Sequence, residues 1–372
     1  MELYNVPYIC VFILFFLLLK YENNSGNRNN VRLIAAGIFI LFYGFRGYIG
    51  TDWFNYNTYY EQATLKTWSE SDYELGFAFL SKLLHDIGVP YLDFVFIIVV
   101  LQVFLWDRVL KLLNLPIALS YIILISIFPL LVIDLLRNFT SILIALQGVA
   151  YLIRGEKKGA ISYFLLSILF HTTGIFFFFL FFIRKTYLNK KVAWVLTCVG
   201  LVFYFLQLRV VDNIIELLGG FVGGRVEYLA DSAISSEQGY GIRFGIIEKL
   251  IFLFIVLFNY DSLTNNKKIS PLIINAFFIY IFIQLYFSTI DAFVNRFSLL
   301  FFWSYLFVLV KTPQLVSKKY NFSLLKSFIL LLCFFKIYIT YNNILYSYKN
   351  TLLSEDSIRE REWNRAQFYM DR

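Results

Sequence analysis

The chain has 372 residues, of which 59% are hydrophobic, 20% aromatic and only 16% charged, with a formal net charge of +8 and a mean hydropathy of +0.67. Ordinary soluble domains carry about 25% charged residues, so this chain has too little polar surface to face water, which excludes a soluble globular enzyme. Its Lys and Arg residues sit in short clusters between apolar runs, as membrane topology demands and a nucleic-acid surface does not, and Cys10, Cys198 and Cys333 lie far apart with no CxxC spacing, which gives neither a disulfide framework nor a metal cluster.

A helix crosses the hydrocarbon core with roughly 20 mostly apolar residues, each rising about 1.5 Å. On that rule the sequence predicts spans over 4–20, 31–46, 91–107, 116–134, 137–153, 192–209, 244–260, 271–289, 296–310 and 324–341. The expected fold is all-α, a polytopic integral membrane protein of about 10–12 transmembrane helices. The first run, Val6 to Leu19, has no Lys or Arg before it and no small-residue cleavage site after it, so it reads as a retained helix. Lys20, Arg28 and Arg32 just beyond it favour an outside amino terminus.

Gly159 to Ile183 is broken by His171-Thr172-Thr173-Gly174 and flanked on both sides by cations. A single span would place one cationic cluster outside, whereas two half-helices meeting at the break keep both inside, so a re-entrant helical hairpin over 159–183 is expected. The loops around Asp107 to Lys111, Arg154 to Lys158, Arg184 to Lys191, Asp261 to Lys268 and Lys311 to Lys319 are then cytoplasmic. Residues 47–90 and 210–243 become external loops within one membrane domain, 1–353, followed by a charged and exposed helical tail, 354–372. Trp53, Tyr56, Tyr59, Tyr60, Trp68 and Tyr73 suit either an interfacial aromatic belt or stacking on sugar rings.

Common catalytic motifs are missing: the sequence has no HExxH, no GxSxG, and only His85 and His171. The glycines before Arg225 lack the Lys-Ser/Thr ending of a phosphate loop. What remains is a set of ionisable residues at the external ends of apolar helices, where burial is costly and function is the default reading. Arg46 and Asp52 flank the second span, Asp134 and Arg137 a turn between spans, Arg225 and Arg243 the second external loop, and Asp291 with Arg296 the approach to another span. Arginine suits a diphosphate, because its planar fork donates two hydrogen bonds and stays charged. The blander alternative is that each arginine snorkels or pairs with its neighbour, Arg137 with Asp134 and Arg296 with Asp291. His171 is either a base for a sugar hydroxyl or a hydrogen-bonding group that closes the hairpin.

The segment Phe45-Arg46-Gly47-Tyr48-Ile49-Gly50-Thr51-Asp52-Trp53-Phe54-Asn55-Tyr56 resembles the opening signature of EpsG-type membrane proteins. Leu136-Arg137-Asn138-Phe139, then Ala145, Tyr151 and Leu169-Phe170-His171-Thr172-Thr173-Gly174, resembles a second block of that family, with weaker echoes at Arg225, Tyr228, Asn295-Arg296 and Tyr348-Lys349-Asn350. This chain has Trp53, Asn138 and Thr172 where the family usually has tyrosine, glutamine and a basic residue.

The resemblance implies a Wzy-like O-antigen, capsule or exopolysaccharide polymerase in the bacterial inner membrane, with its active site facing the periplasm and an architecture similar to the GT-C glycosyltransferases. Its substrates would be oligosaccharide repeats on undecaprenyl diphosphate, in contact with membrane lipid and with the flippase and chain-length regulator of the same pathway. No cofactor, metal or nucleic acid is implied. Arg137, Arg225 and Arg296 would hold diphosphates, His171 would act as base or orienter, and Arg46, Asp52, Tyr56, Arg243 and Asp291 would position substrate. The rival readings are a flippase or transporter of lipid-linked sugars, a glycan ligase or acyltransferase, and a non-enzymatic scaffold.

Overall fold

The computed structural model describes residues 3–25, 27–63, 73–208, 244–265, 269–316 and 319–370. Among them the regular elements are helical, apart from one isolated antiparallel bridge between Arg46 and Asn350. Contacts divide the chain into two units, residues 1–178 with 323–372, and residues 179–322.

The first unit contains α1 (Val6–Ser25), α2 (Arg28–Phe39) continued by a π turn (Ile40–Gly44), α3 (Trp53–Glu61), α4 (Leu75–Asp86), α5 (Tyr91–Leu112), α6 (Ile117–Ile127), α7 (Pro129–Ile133), α8 (Leu136–Ile153) and α9 (Lys157–Ile168). A 3-10 helix, Thr172–Phe179, follows. The second unit runs through α10 (Leu180–Ile183), α11 (Lys190–Leu206), α12 (Phe244–Phe258), α13 (Tyr260–Thr264), α14 (Pro271–Tyr286), α15 (Asp291–Phe297) and α16 (Phe302–Val316). The chain then returns to the first unit with α17 (Lys319–Thr340) and α18 (Ile358–Met370).

Apolar side chains cover the outside as well as the inside: Leu33 is 75% exposed, Phe104 62% and Ile339 63% in the first unit, and Phe182 82% in the second. Only lipid tolerates such a surface. Among the described residues, four stretches are long and apolar enough to cross a bilayer, Val6–Asn24, Leu136–Ile153, Phe293–Lys311 and Ser323–Thr340, and shorter apolar helices accompany them. The protein is an all-α polytopic membrane protein. The spanning window of α8 is 83% buried against 33% for α1 and 17% for α17, so α8 is the inner helix of its unit and the other two face lipid.

Because lipid tails compete with side chains for apolar contact, polar groups help fix helices to one another. Gln102 of α5 donates to the Leu136 carbonyl at 3.1 Å and to Thr140 Oγ1 at 3.0 Å on α8, while Gln147 of α8 donates to the Leu105 carbonyl at 3.0 Å. In the second unit, Asn275 of α14 holds the turn after α10, donating to the Ile183 and Thr186 carbonyls at 2.6 and 2.7 Å and accepting the Leu188 amide at 2.9 Å.

Three segments depart from the sequence reading. The expected span 116–134 breaks at Phe128 (φ −122°, ψ 46°), because the next residue, Pro129, disfavours α geometry before it and removes an amide. At 159–183 the chain does reverse: Phe164 of α9 meets Phe177 and Phe178 at ring distances of 5.8 and 5.5 Å. A straight helix would put those residues about 20 Å apart, and the returning arm is a 3-10 helix, not the α half-helix expected. The charged tail forms α18, but Arg361 is only 3% exposed, so the segment is anchored and not free in solvent.

Gln102→Leu removes both bonds from α5 to α8 and is expected to lower stability by about 1 kcal/mol, read from thermal unfolding in detergent. An unchanged midpoint would show that the α5–α8 contact does not depend on them.

Candidate functional site

Helix ends leave amides and carbonyls without partners, and in a membrane protein these must be met by protein groups. The loop 46–52 and the end of α7 meet that need for each other. Arg46, 5% exposed, donates Nη1 to the Val132 carbonyl at 2.5 Å and Nη2 to the Ile133 carbonyl at 2.8 Å, closing the carboxyl end of α7. Asp134, the next residue, reaches back with Oδ1 to the Thr51 amide, to Thr51 Oγ1 at 3.1 Å and to the Asp52 amide at 3.1 Å, just ahead of α3. Gly50 makes this approach possible, since its φ of +87° disfavours any other residue and a side chain there would collide with Asp134.

A second reciprocal contact lies beside the first. Leu169, at the end of α9, offers its carbonyl to the Gly76 and Phe77 amides of α4 at 2.7 and 3.3 Å. In return Glu74, immediately before α4, accepts the Thr172 amide at 3.0 Å and Thr172 Oγ1 at 3.3 Å. Its other oxygen pairs with Arg137 Nη1 in the first turn of α8. The guanidinium of Arg137 also lies over the Tyr73 ring, 4.1 Å from its centre. Burial pushes the Glu74 carboxyl up, but the Arg137 charge and the Thr172 amide outweigh it, and the group titrates below the usual glutamate range.

Tyr56 links the two contacts. It is buried, its ring lies 6.1 Å from Tyr73 and 5.9 Å from Phe77, and burial pushes its hydroxyl up despite the backbone N–H of Arg137. A cavity of about 10 Å³ opens beside it between Arg46, Trp53, Tyr91 and Leu136, the size of one water molecule.

His171 Nδ1 accepts the Thr173 amide at 3.2 Å and lies 2.8 Å from Thr173 Oγ1, which in turn reaches Asn138 Oδ1 at 3.3 Å. With Nδ1 accepting, the neutral ring carries its proton on Nε2. In that tautomer Nε2 is a donor and Nδ1 is engaged with Thr173.

Five residues singled out from the sequence thus gather in the first unit: Arg46, Asp52, Tyr56, Arg137 and His171. The pairing of Arg137 with Asp134, the blander alternative, does not form, because Asp134 turns to the amides of the 46–52 loop and Glu74 takes the guanidinium instead. Arg46 spends its fork on backbone carbonyls, as a helix cap does. Arg296 belongs to α15 of the second unit and is exposed, and Asp291 opens the same helix. Arg225 and Arg243 lie outside the described residues, as does Trp68. Glu74 was overlooked. The signal available was an acid directly before an apolar helix, but its partners lie 63 and 98 residues away.

A sequence model described as the EpsG family matches residues 29–350. No curated protein and no solved structure matches the chain.

Asp134→Ala leaves the Thr51 and Asp52 amides unpaired and is expected to cost about 1–3 kcal/mol, whereas Asp134→Asn keeps an acceptor oxygen and costs less. Unfolding of the purified variants measures both, and equal losses would count against the amide contacts.

Proposed function

The chain belongs to the EpsG family, and from that premise we propose that it polymerises undecaprenyl-diphosphate-linked oligosaccharide repeats at the outer face of the bacterial cytoplasmic membrane, on a GT-C-like architecture. The growing glycan is transferred from one carrier to a hydroxyl of a newly delivered repeat. The bond from the anomeric carbon to the diphosphate oxygen breaks, the acceptor oxygen forms the glycosidic bond to that carbon, and the hydroxyl proton passes to the departing carrier diphosphate or to water. The diphosphate is an activated leaving group, so the protein's task is to align two substrates and stabilise charge on the departing oxygen.

The observation that carries this reading is the position of Arg137. Its guanidinium opens helix α8, lies on Tyr73, and is joined through Glu74 to the Thr172 amide, next in sequence to His171. These are donors for a phosphoryl oxygen beside an aromatic surface suited to a sugar. Acids outnumber arginines in the cluster, with Asp52, Glu74 and Asp134 against Arg46 and Arg137. Arg225 and Arg296 are the further residues assigned to diphosphate. Arg46, Asp52, Tyr56, Arg243 and Asp291 are the residues assigned to positioning the repeat.

Deleting the gene and examining surface glycan on a gel tests the reading. Polymerase loss leaves a single repeat attached, whereas loss of a flippase or ligase leaves none. Arg137→Ala and His171→Ala at unchanged protein level are expected to shorten the glycan to one or a few repeats, with at least about a hundredfold loss of elongation for Arg137→Ala. A wild-type ladder from both would remove them from the site.

A further inference from the structure

The family match ends at residue 350, yet the segment beyond it reaches back into the 46–52 loop. Asp356, whose side chain is fully buried, accepts the Tyr48 amide at 2.8 Å. It also presses on Gly47 so closely that no Cβ would fit there. Arg361 directs Nε to the two Asp356 oxygens at 2.8 and 3.0 Å and Nη1 to the Ser347 carbonyl. Lys349 meets Glu360 at 2.7 Å, and further along α18 Arg365 lies over the Phe54 ring, 4.7 Å from its centre. The segment therefore holds the signature loop and the start of α3 at three points: Gly47, Tyr48 and Phe54.

A solvated tail needs none of these contacts. Burying an ion pair is a poor way to gain stability, because desolvation offsets most of the attraction, and such pairs are better understood as fixing a geometry. Here the geometry fixed is that of the turn leading to Asp52 and Tyr56.

We propose that residues 354–370 are part of the functional site and that Asp356 is a positioning residue, holding Tyr48 so that Asp52 and Tyr56 face the substrate repeat. This rests on the assignment of Asp52 and Tyr56 to substrate binding. The segment acts on binding and not on the bond-breaking step, since none of its groups joins the Arg137 cluster.

The test uses membranes holding the full-length protein and, as substrate, lipid-linked repeats extracted from a polymerase-deleted host. Initial elongation rates are measured against repeat concentration for wild type, Arg137→Ala, Asp356→Ala and Asp356→Asn. Asp356→Ala is expected to raise KM about tenfold or more with a smaller change in kcat. Asp356→Asn, which keeps an oxygen for the Tyr48 amide, raises it less. A merely structural role lowers the amount of active protein, so a fall in maximal rate at unchanged KM, or wild-type kinetics, overturns the proposal. If Asp356→Ala does not accumulate, Asp356→Asn is judged by the same criterion, and if neither accumulates the segment is a folding element and the proposal falls. Arg137→Ala separates the two ideas: wild-type rates from it refute the catalytic cluster while leaving the KM effect of Asp356 to stand. Wild-type membranes that fail to elongate the repeats overturn the function and this proposal together.

Discussion

In a membrane protein, helix ends cannot leave their backbone groups to water, and this constraint organises the first unit. Three helix breaks, at 44–52, 128–136 and 168–174, and the start of α4 at 74–77 supply one another's partners there. Each break satisfies another: Arg46 closes α7, Asp134 meets the amides ahead of α3, Leu169 meets the amides of α4, and Glu74 meets the amide that opens the returning 3-10 arm. Irregular backbone persists because every such segment has a partner inside the same unit.

Function follows from what these contacts bring along. The capping groups are charged because a guanidinium or carboxylate can serve two backbone groups at once. Holding them in place also holds Arg137, Tyr56, Tyr73 and His171, which lie 115 residues apart at the extremes of sequence but share one neighbourhood. The charges expected to serve substrate therefore divide into two kinds. Arg46 and Asp134 are committed to backbone. Among the described residues, the Arg137 guanidinium is held by a carboxylate and a ring, contacts that a more highly charged anion can replace.

Much of the fold was legible in the sequence, because apolar runs of spanning length leave few alternatives and Pro129 and the HTTG interruption mark their own breaks. The reversal at 159–183 followed from that interruption and the cations on both sides of it. The capping pattern was not legible. Asp134 and Arg137 are three residues apart on adjoining helical turns, so local reasoning pairs them, and only the tertiary fold reveals that each has a better partner, 82 to 83 residues away for Asp134 and 63 for Arg137. Asp356 was hidden for a related reason: a run of mixed charge reads as solvated unless the loop it covers is known.

The ion pair between Arg137 and Glu74 joins the helix breaks to the proposed chemistry, so it is the contact on which the account stands or falls. A double-mutant cycle on the two residues, read from unfolding of the detergent-solubilised protein, measures it directly. Each single alanine variant strands a partly buried charge, and the account predicts that the double variant loses clearly less than the sum, with a coupling of about 1 kcal/mol or more. Strictly additive losses would mean that the two side chains do not hold each other, and would contradict it.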